Sequence, residues 1–138
     1  MQLDYNQIFD AVTLALHTVF PDTKIFGEHI EQGLEADTIN VLPINANETA
    51  QLGTRAARNV TFDVIYYPPK QKSREACLEM QDALAGALGT VTTPNGDKIH
   101  SIKFDGTITD DVLHCIVSYP HFIYMPAEKE TMDEVILF

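Results

Sequence analysis

Hydrophobic and polar residues alternate most regularly over residues 58–69, Arg-Asn-Val-Thr-Phe-Asp-Val-Ile-Tyr-Tyr-Pro-Pro. Val60, Phe62, Val64 and Tyr66 fall on one side, and Thr61, Asp63, Ile65 and Tyr67 on the other. That is the period-two pattern of a strand with one face in a core. Its residue types are those that fit a pleated, half-buried surface. Pro68-Pro69 ends it, because neither residue can donate a ladder hydrogen bond. After a solvated run, 70–74, the period changes. Ala76, Cys77, Met80, Ala83, Leu84, Ala87 and Leu88 recur at three and four residues. They predict a helix over 73–88 with a narrow, small-residue stripe suited to packing on a sheet. Ser73 is its expected N-cap and Gly89 its stop.

The rest of the chain is read in the same way. Asp4, with Gln7 three residues on, forms a capping box for a helix running to Val19. Its stripe is Ile8, Val12, Ala15 and Val19, widened by Phe9 and Leu16, and His17 falls on the polar face. Phe20-Pro21 stops it. Residues 24–30 predict a short strand. Residues 38–44 resume extended structure with Ile39, Val41 and Pro43 on one side, the proline implying an edge or a bulge. Residues 45–57, Asn-Ala-Asn-Glu-Thr-Ala-Gln-Leu-Gly-Thr-Arg-Ala-Ala, are small and polar and show neither period. They predict either a long hairpin tip or a flexible loop. Pro94-Asn95-Gly96 is a turn, 98–104 a strand, and Asp105-Gly106 a tight turn or kink. The longest extended stretch is 112–125, where Pro120 implies a bulge or a change of partner. The sum is an α+β fold, a mainly antiparallel sheet with two amphipathic helices packed on it. One domain is expected over 1–126, with a C-terminal tail over 127–138.

Composition narrows the function. At 138 residues the chain is long enough for one domain that buries roughly two-thirds of its unfolded surface. Nine basic residues against 20 acidic ones give a net charge of −11. No basic patch is available to neutralise phosphates, which argues against a nucleic-acid binder. No apolar run is long enough to span a bilayer, and the first residues lack a charged-then-apolar leader pattern. Cys77 and Cys115 have no metal spacing and read as buried thiols rather than a disulfide.

A search for catalytic chemistry finds no constellation. His17, His29, His100, His114 and His121 are scattered singly. Glu28 and His29 would point to opposite faces of a strand, as would His114 and Cys115, which spoils a metal pair and a Cys–His dyad. Gly86 and Gly89 lack the spacing and the lysine of a phosphate loop. No cofactor is expected.

The order of elements, with particular words in it, resembles the tail terminator proteins of long-tailed phages and prophages. Phe20-Pro21, Lys24-Ile25-Phe26-Gly27-Glu28 and Ile30-Glu31-Gln32-Gly33 are similar to the family's segment after its first helix. Arg58 to Val64, Tyr66-Tyr67-Pro68 and Arg74-Glu75-Ala76-Cys77 resemble its central strand and second helix, and Asp111-Val112-Leu113-His114 its closing strand. The resemblance runs to about Met125 and implies a structural virion protein without catalytic residues. It implies a homo-oligomeric ring, commonly a hexamer, which caps the tail tube and meets the head–tail connector protein. Partners would be further copies, the tube protein and the connector, with DNA only as passing cargo and no membrane. Six copies at −11 each would gather about −66 charges around a channel, a field that discourages DNA from sticking. The candidate contacts are Arg55 and Arg58, basic residues in or beside the polar segment, and the apolar terminal residues Val135, Ile136, Leu137 and Phe138, which need a surface either on their own domain or on a neighbouring subunit. The rival readings are another neck protein, for head closure or tail completion, and an enzyme or small-ligand binder of a mobile element.

Overall fold

The computed structural model describes residues 3–27, 36–51 and 53–124. In chain order these form α1 (Tyr5–Val19), β1 (Lys24–Phe26), β2 (Thr38–Ala50), β3 (Arg55–Tyr67), α2 (Ser73–Leu88), β4 (Thr90–Thr92), β5 (Lys98–His100), β6 (Lys103–Thr109) and β7 (Val112–Tyr124). Five strands make one sheet in the order β1-β2-β3-β7-β6, and β4 and β5 pair as a small separate hairpin. The β1–β2 pair is parallel and the other pairs are antiparallel. The α+β class read from the sequence is therefore the observed one.

The alternation that predicts β3 is the alternation that builds the core. Val60, Phe62, Val64 and Tyr66 are buried, and so are their β7 neighbours Tyr119, Val117, Cys115 and Leu113. Both helices lie over this face. Ile8, Ala11, Val12 and Leu16 of α1, and Cys77, Leu84 and Leu88 of α2, close the core against it. Val19, placed on the buried stripe by its spacing, is 48 % exposed. Leu16 in the same last turn is fully buried, as is Ala11, which the spacing left off the stripe. Asp4 caps α1 through the expected box, its carboxylate accepting from the Gln7 backbone at 2.7 Å. Both cysteines are buried free thiols.

Three local expectations are corrected in and after α2. Ser73 does not cap α2. Lys72 stands at that position in a left-handed conformation with no side-chain cap, while the Ser73 hydroxyl lies 3.5 Å from the Asp111 carboxylate. At the other end of α2, the buried Tyr119 hydroxyl donates to the Leu88 carbonyl at 2.7 Å, satisfying a carbonyl that the helix itself leaves open. The single strand expected over 98–104 is two, β5 and β6, which belong to different sheets. Asp105-Gly106 is no turn: both lie inside β6, where Gly106 leaves room for the Gln81 side chain. The β6–β7 reversal comes at Asp110-Asp111, both at positive φ, as a two-residue hairpin turn requires.

The largest correction concerns residues 45–57. Residues 45–50 and 55–57 are paired strand, not a flexible loop: β2 and β3 continue in register from Asn45↔Thr61 to Ala50↔Ala56. The hairpin reading holds, since the paired strands run to Ala50 on one side and from Arg55 on the other. The register shift between Pro43 and Asn45 is the bulge that Pro43 implies. It falls beyond Asn40, where β1 stops covering the outer side of β2. Pro120 produces no bulge against β3, since Asn59↔Pro120 continues the ladder. It marks a change of partner instead: β6 pairs with β7 no further than Ser118.

Candidate assembly surface

Beyond the bulge, β2, β3 and β7 form an arm that extends past the helices. Nearly all of β2 in this part is exposed, while β3 is flanked on both sides. Arm residues alternate between a helix-side face, which continues Val60 and Tyr119, and an opposite face on which no described helix packs.

Arg55 and Arg58 fall on different faces, three residues apart on one strand. Arg55 lies on the uncovered face near the tip. Its Nε donates to the Gln51 side-chain carbonyl at 2.8 Å, and its guanidinium sits 4.5 Å from the centroid of the Phe122 ring. Phe122 and Tyr124 are 51 % and 61 % exposed beside it. This makes an aromatic–cationic patch at the end of β7. Arg58 lies on the helix side, half withdrawn from solvent. Its Nε donates to Glu48 at 2.7 Å, and its guanidinium covers the Tyr5 ring at 4.6 Å. Tyr5 in turn meets His121 edge-on at 6.3 Å, and its hydroxyl donates to the Asn47 carbonyl at 3.2 Å. Arg58 thus braces the base of the arm against the first turn of α1. The structure does not bring the two arginines together. Val135, Ile136, Leu137 and Phe138 lie outside the described residues.

The brace has one titratable member out of its usual range. Burial pushes the His121 pKa down and the neighbouring Arg58 cation adds to this; the hydrogen bond to the Tyr119 carbonyl opposes it. His121 Nδ1 donates there at 3.1 Å, and Nε2 is buried without a partner. The ring is therefore neutral in the folded state near pH 7.

Sequence reasoning missed Tyr5, Glu48, Phe122 and Tyr124. The signal for the two β7 aromatics was present, as large residues two apart on a strand project to one face. Glu48 and Arg58 needed the β2–β3 register, which no local pattern supplies.

The strongest catalytic-looking pair is Asp63 and His114, with His114 Nδ1 3.0 Å from the Asp63 carboxylate on the uncovered face. The adjacent thiol cannot join them. Cys115 projects into the core on the other face, and its pKa is pushed up to about 12, first by burial and then by the Asp63 and Cys77 charges. Among the described residues no group of three or more His, Cys, Asp or Glu could hold a metal ion. At the end of the sheet away from the arm, a cleft of about 510 Å³ lies between Pro68-Pro69, Ser73 and Asp110-Asp111. Among the described residues no helix is long and apolar enough to cross a membrane.

Among the described residues, β2 beyond Asn40 pairs only with β3, and no helix packs on the sheet face opposite Val60 and Phe62. A family profile described as phage tail terminator protein matches residues 7–132, which is most of the chain, and the protein belongs to that family. The family is a structural one. No curated protein matches the chain. Among solved structures, a chain from "Virion of native gene transfer agent (GTA) particle" shares the fold with a TM-score of 0.51 at 12 % identity, over 88 % of this chain and 99 % of that one.

Proposed function

We propose that the protein closes the phage tail: copies of it form a ring, six in number, on the end of the tail tube, and the ring presents the surface that meets the head–tail connector. The family match over residues 7–132 carries this reading. The structure supports it in kind, since the exposed arm offers contacts on two faces. The virion origin of a chain with the same fold fits the same setting. The protein would assemble in the bacterial cytoplasm and stay in the virion neck, with DNA crossing the ring as cargo. Arg55 with Phe122 and Tyr124, and the terminal Val135, Ile136, Leu137 and Phe138, are the contacts assigned to assembly. Arg58 supports the arm rather than meeting a partner directly.

Native mass spectrometry of the purified protein, alone and with the tube protein, tests this. A closed hexamer whose population rises when tube protein is added is the expected result. Monomers alone in both samples would overturn the reading.

A further inference from the structure

Among the described residues, the outer edge of β2 is covered only where β1 pairs with Thr38, Ile39 and Asn40. Over residues 41–50 no described strand pairs with it. The Tyr5 hydroxyl takes one backbone acceptor in this part, the Asn47 carbonyl. Beside this stretch lies a groove of about 240 Å³, lined among the described residues by Phe9, Gly27, Pro43, Ala46, Val60 and Phe62, with Tyr5 and Asn6 completing the lining. Ile44, the extra residue of the bulge, is 53 % exposed next to Pro43. Natural proteins usually blunt a long strand edge, since its free N–H and C=O groups invite another strand. An edge running past an apolar pocket is the arrangement that strand addition uses. Main-chain bonds supply affinity, and the pocket selects an alternate side chain.

We infer that this edge and groove receive the terminal strand of a second copy, Val135, Ile136, Leu137 and Phe138. These four are apolar, rich in strand-forming types and free of Gly and Pro. Tyr124, the last described residue, pairs with Arg55 beside the arm tip. Fourteen residues follow, 125–138, with a reach of about 45–50 Å when extended, enough to leave the subunit. The like charges of Glu128, Glu130, Asp133 and Glu134 favour an extended connection. The inference deepens the ring reading by giving a subunit contact its two halves, and it relies on that reading only for the neighbour being an identical chain.

Engineered cysteines test it in the full-length protein, because Cys77 and Cys115 are buried and their thiols are pushed above the usual range. Ala46→Cys and Leu137→Cys are made as separate variants, mixed and oxidised. A covalent dimer containing one of each is expected. It should be absent when Glu79→Cys, on the exposed face of α2, replaces Ala46→Cys. Ala46→Arg, which fills the groove, should lower association by about tenfold or more, the loss of one buried apolar side chain, at unchanged circular dichroism. Equal cross-linking to Glu79→Cys, or no mixed dimer, overturns the inference. So does a purely intramolecular disulfide in the Ala46→Cys, Leu137→Cys double variant. Closed rings without the mixed dimer would sink this contact and leave the ring standing. The mixed dimer without closed rings would do the reverse.

Discussion

At the scale of single residues, the two arginines singled out by their charge have different jobs, and stability measurements should separate them. Arg58→Ala removes an ion pair to Glu48 and a cation–ring contact to Tyr5, both partly withdrawn from water. The expected loss is about 1–2 kcal/mol. Arg55→Ala touches only exposed groups near the tip and should stay within about 0.5 kcal/mol. Urea unfolding of both variants checks this, and equal losses would contradict the assignment of Arg58 as a brace. His121 makes the same corner sensitive to pH. Its folded pKa lies below the value of the unfolded chain, so the unfolded state binds the proton more readily. The stability it contributes is fully present above the ordinary histidine pKa of about 6.5 and is lost as the pH falls through the folded value. In His121→Gln that part of the loss should vanish, leaving the acid dependence of the carboxylates at lower pH. A variant with the wild-type profile between pH 7 and 5.5 would show that His121 is not the group responsible.

At the scale of elements, both helices and the central strand were legible because each buries one face, and burial is what writes a period into a sequence. The arm was not legible for the same reason. Residues 45–50 of β2 are exposed on both faces, so no selection for alternation acts on them, and Asn-Ala-Asn-Glu-Thr-Ala reads as loop. Once the segment is taken for a loop, the odd–even rule that parts Arg55 from Arg58 cannot be applied, and half of the candidate site stays hidden. Gly106 misled for another reason: a glycine in a strand signals close approach as well as turning, and here Gln81 leans over it. Gly27 is the stricter case, since a Cβ there would enter the Phe9 ring, which packs on Phe62. Gly27→Ala should cost about 1–3 kcal/mol, and Gly106→Ala less than about 1, because the Gln81 amide can swing aside. Hydrogen exchange reports on the arm itself. In the unassembled subunit, amides of β3 over 56–60, flanked by β2 and β7, should be protected, and the outward amides of β2 over 45–50 should exchange fast. Uniformly fast exchange over 45–57 would restore the flexible-loop reading.

At the scale of the whole molecule, charge and apolar contact pull assembly in opposite directions. Each subunit carries −11, so bringing copies together is opposed by like-charge repulsion whatever the detailed geometry. What offsets it must be short-ranged, and the terminal Val-Ile-Leu-Phe is the most apolar run available outside the described core. Burying such side chains contributes roughly 1.5–3 kcal/mol each, less the cost of ordering the acidic stretch before them. Removing residues 134–138 should therefore leave circular dichroism unchanged while sedimentation shifts to smaller species. Unfolding of the truncated chain would show that these residues belong to its own core. Salt then tests the balance. Raising ionic strength from 0.1 to 1 M shortens the screening length from about 10 to about 3 Å, which weakens repulsion between subunits and leaves apolar burial intact. Association of the full-length protein should tighten over that range, and the truncated form should recover part of its lost assembly. Dissociation of the ring at high salt would mean instead that paired charges hold it, with Arg55 the first residue to examine by charge reversal.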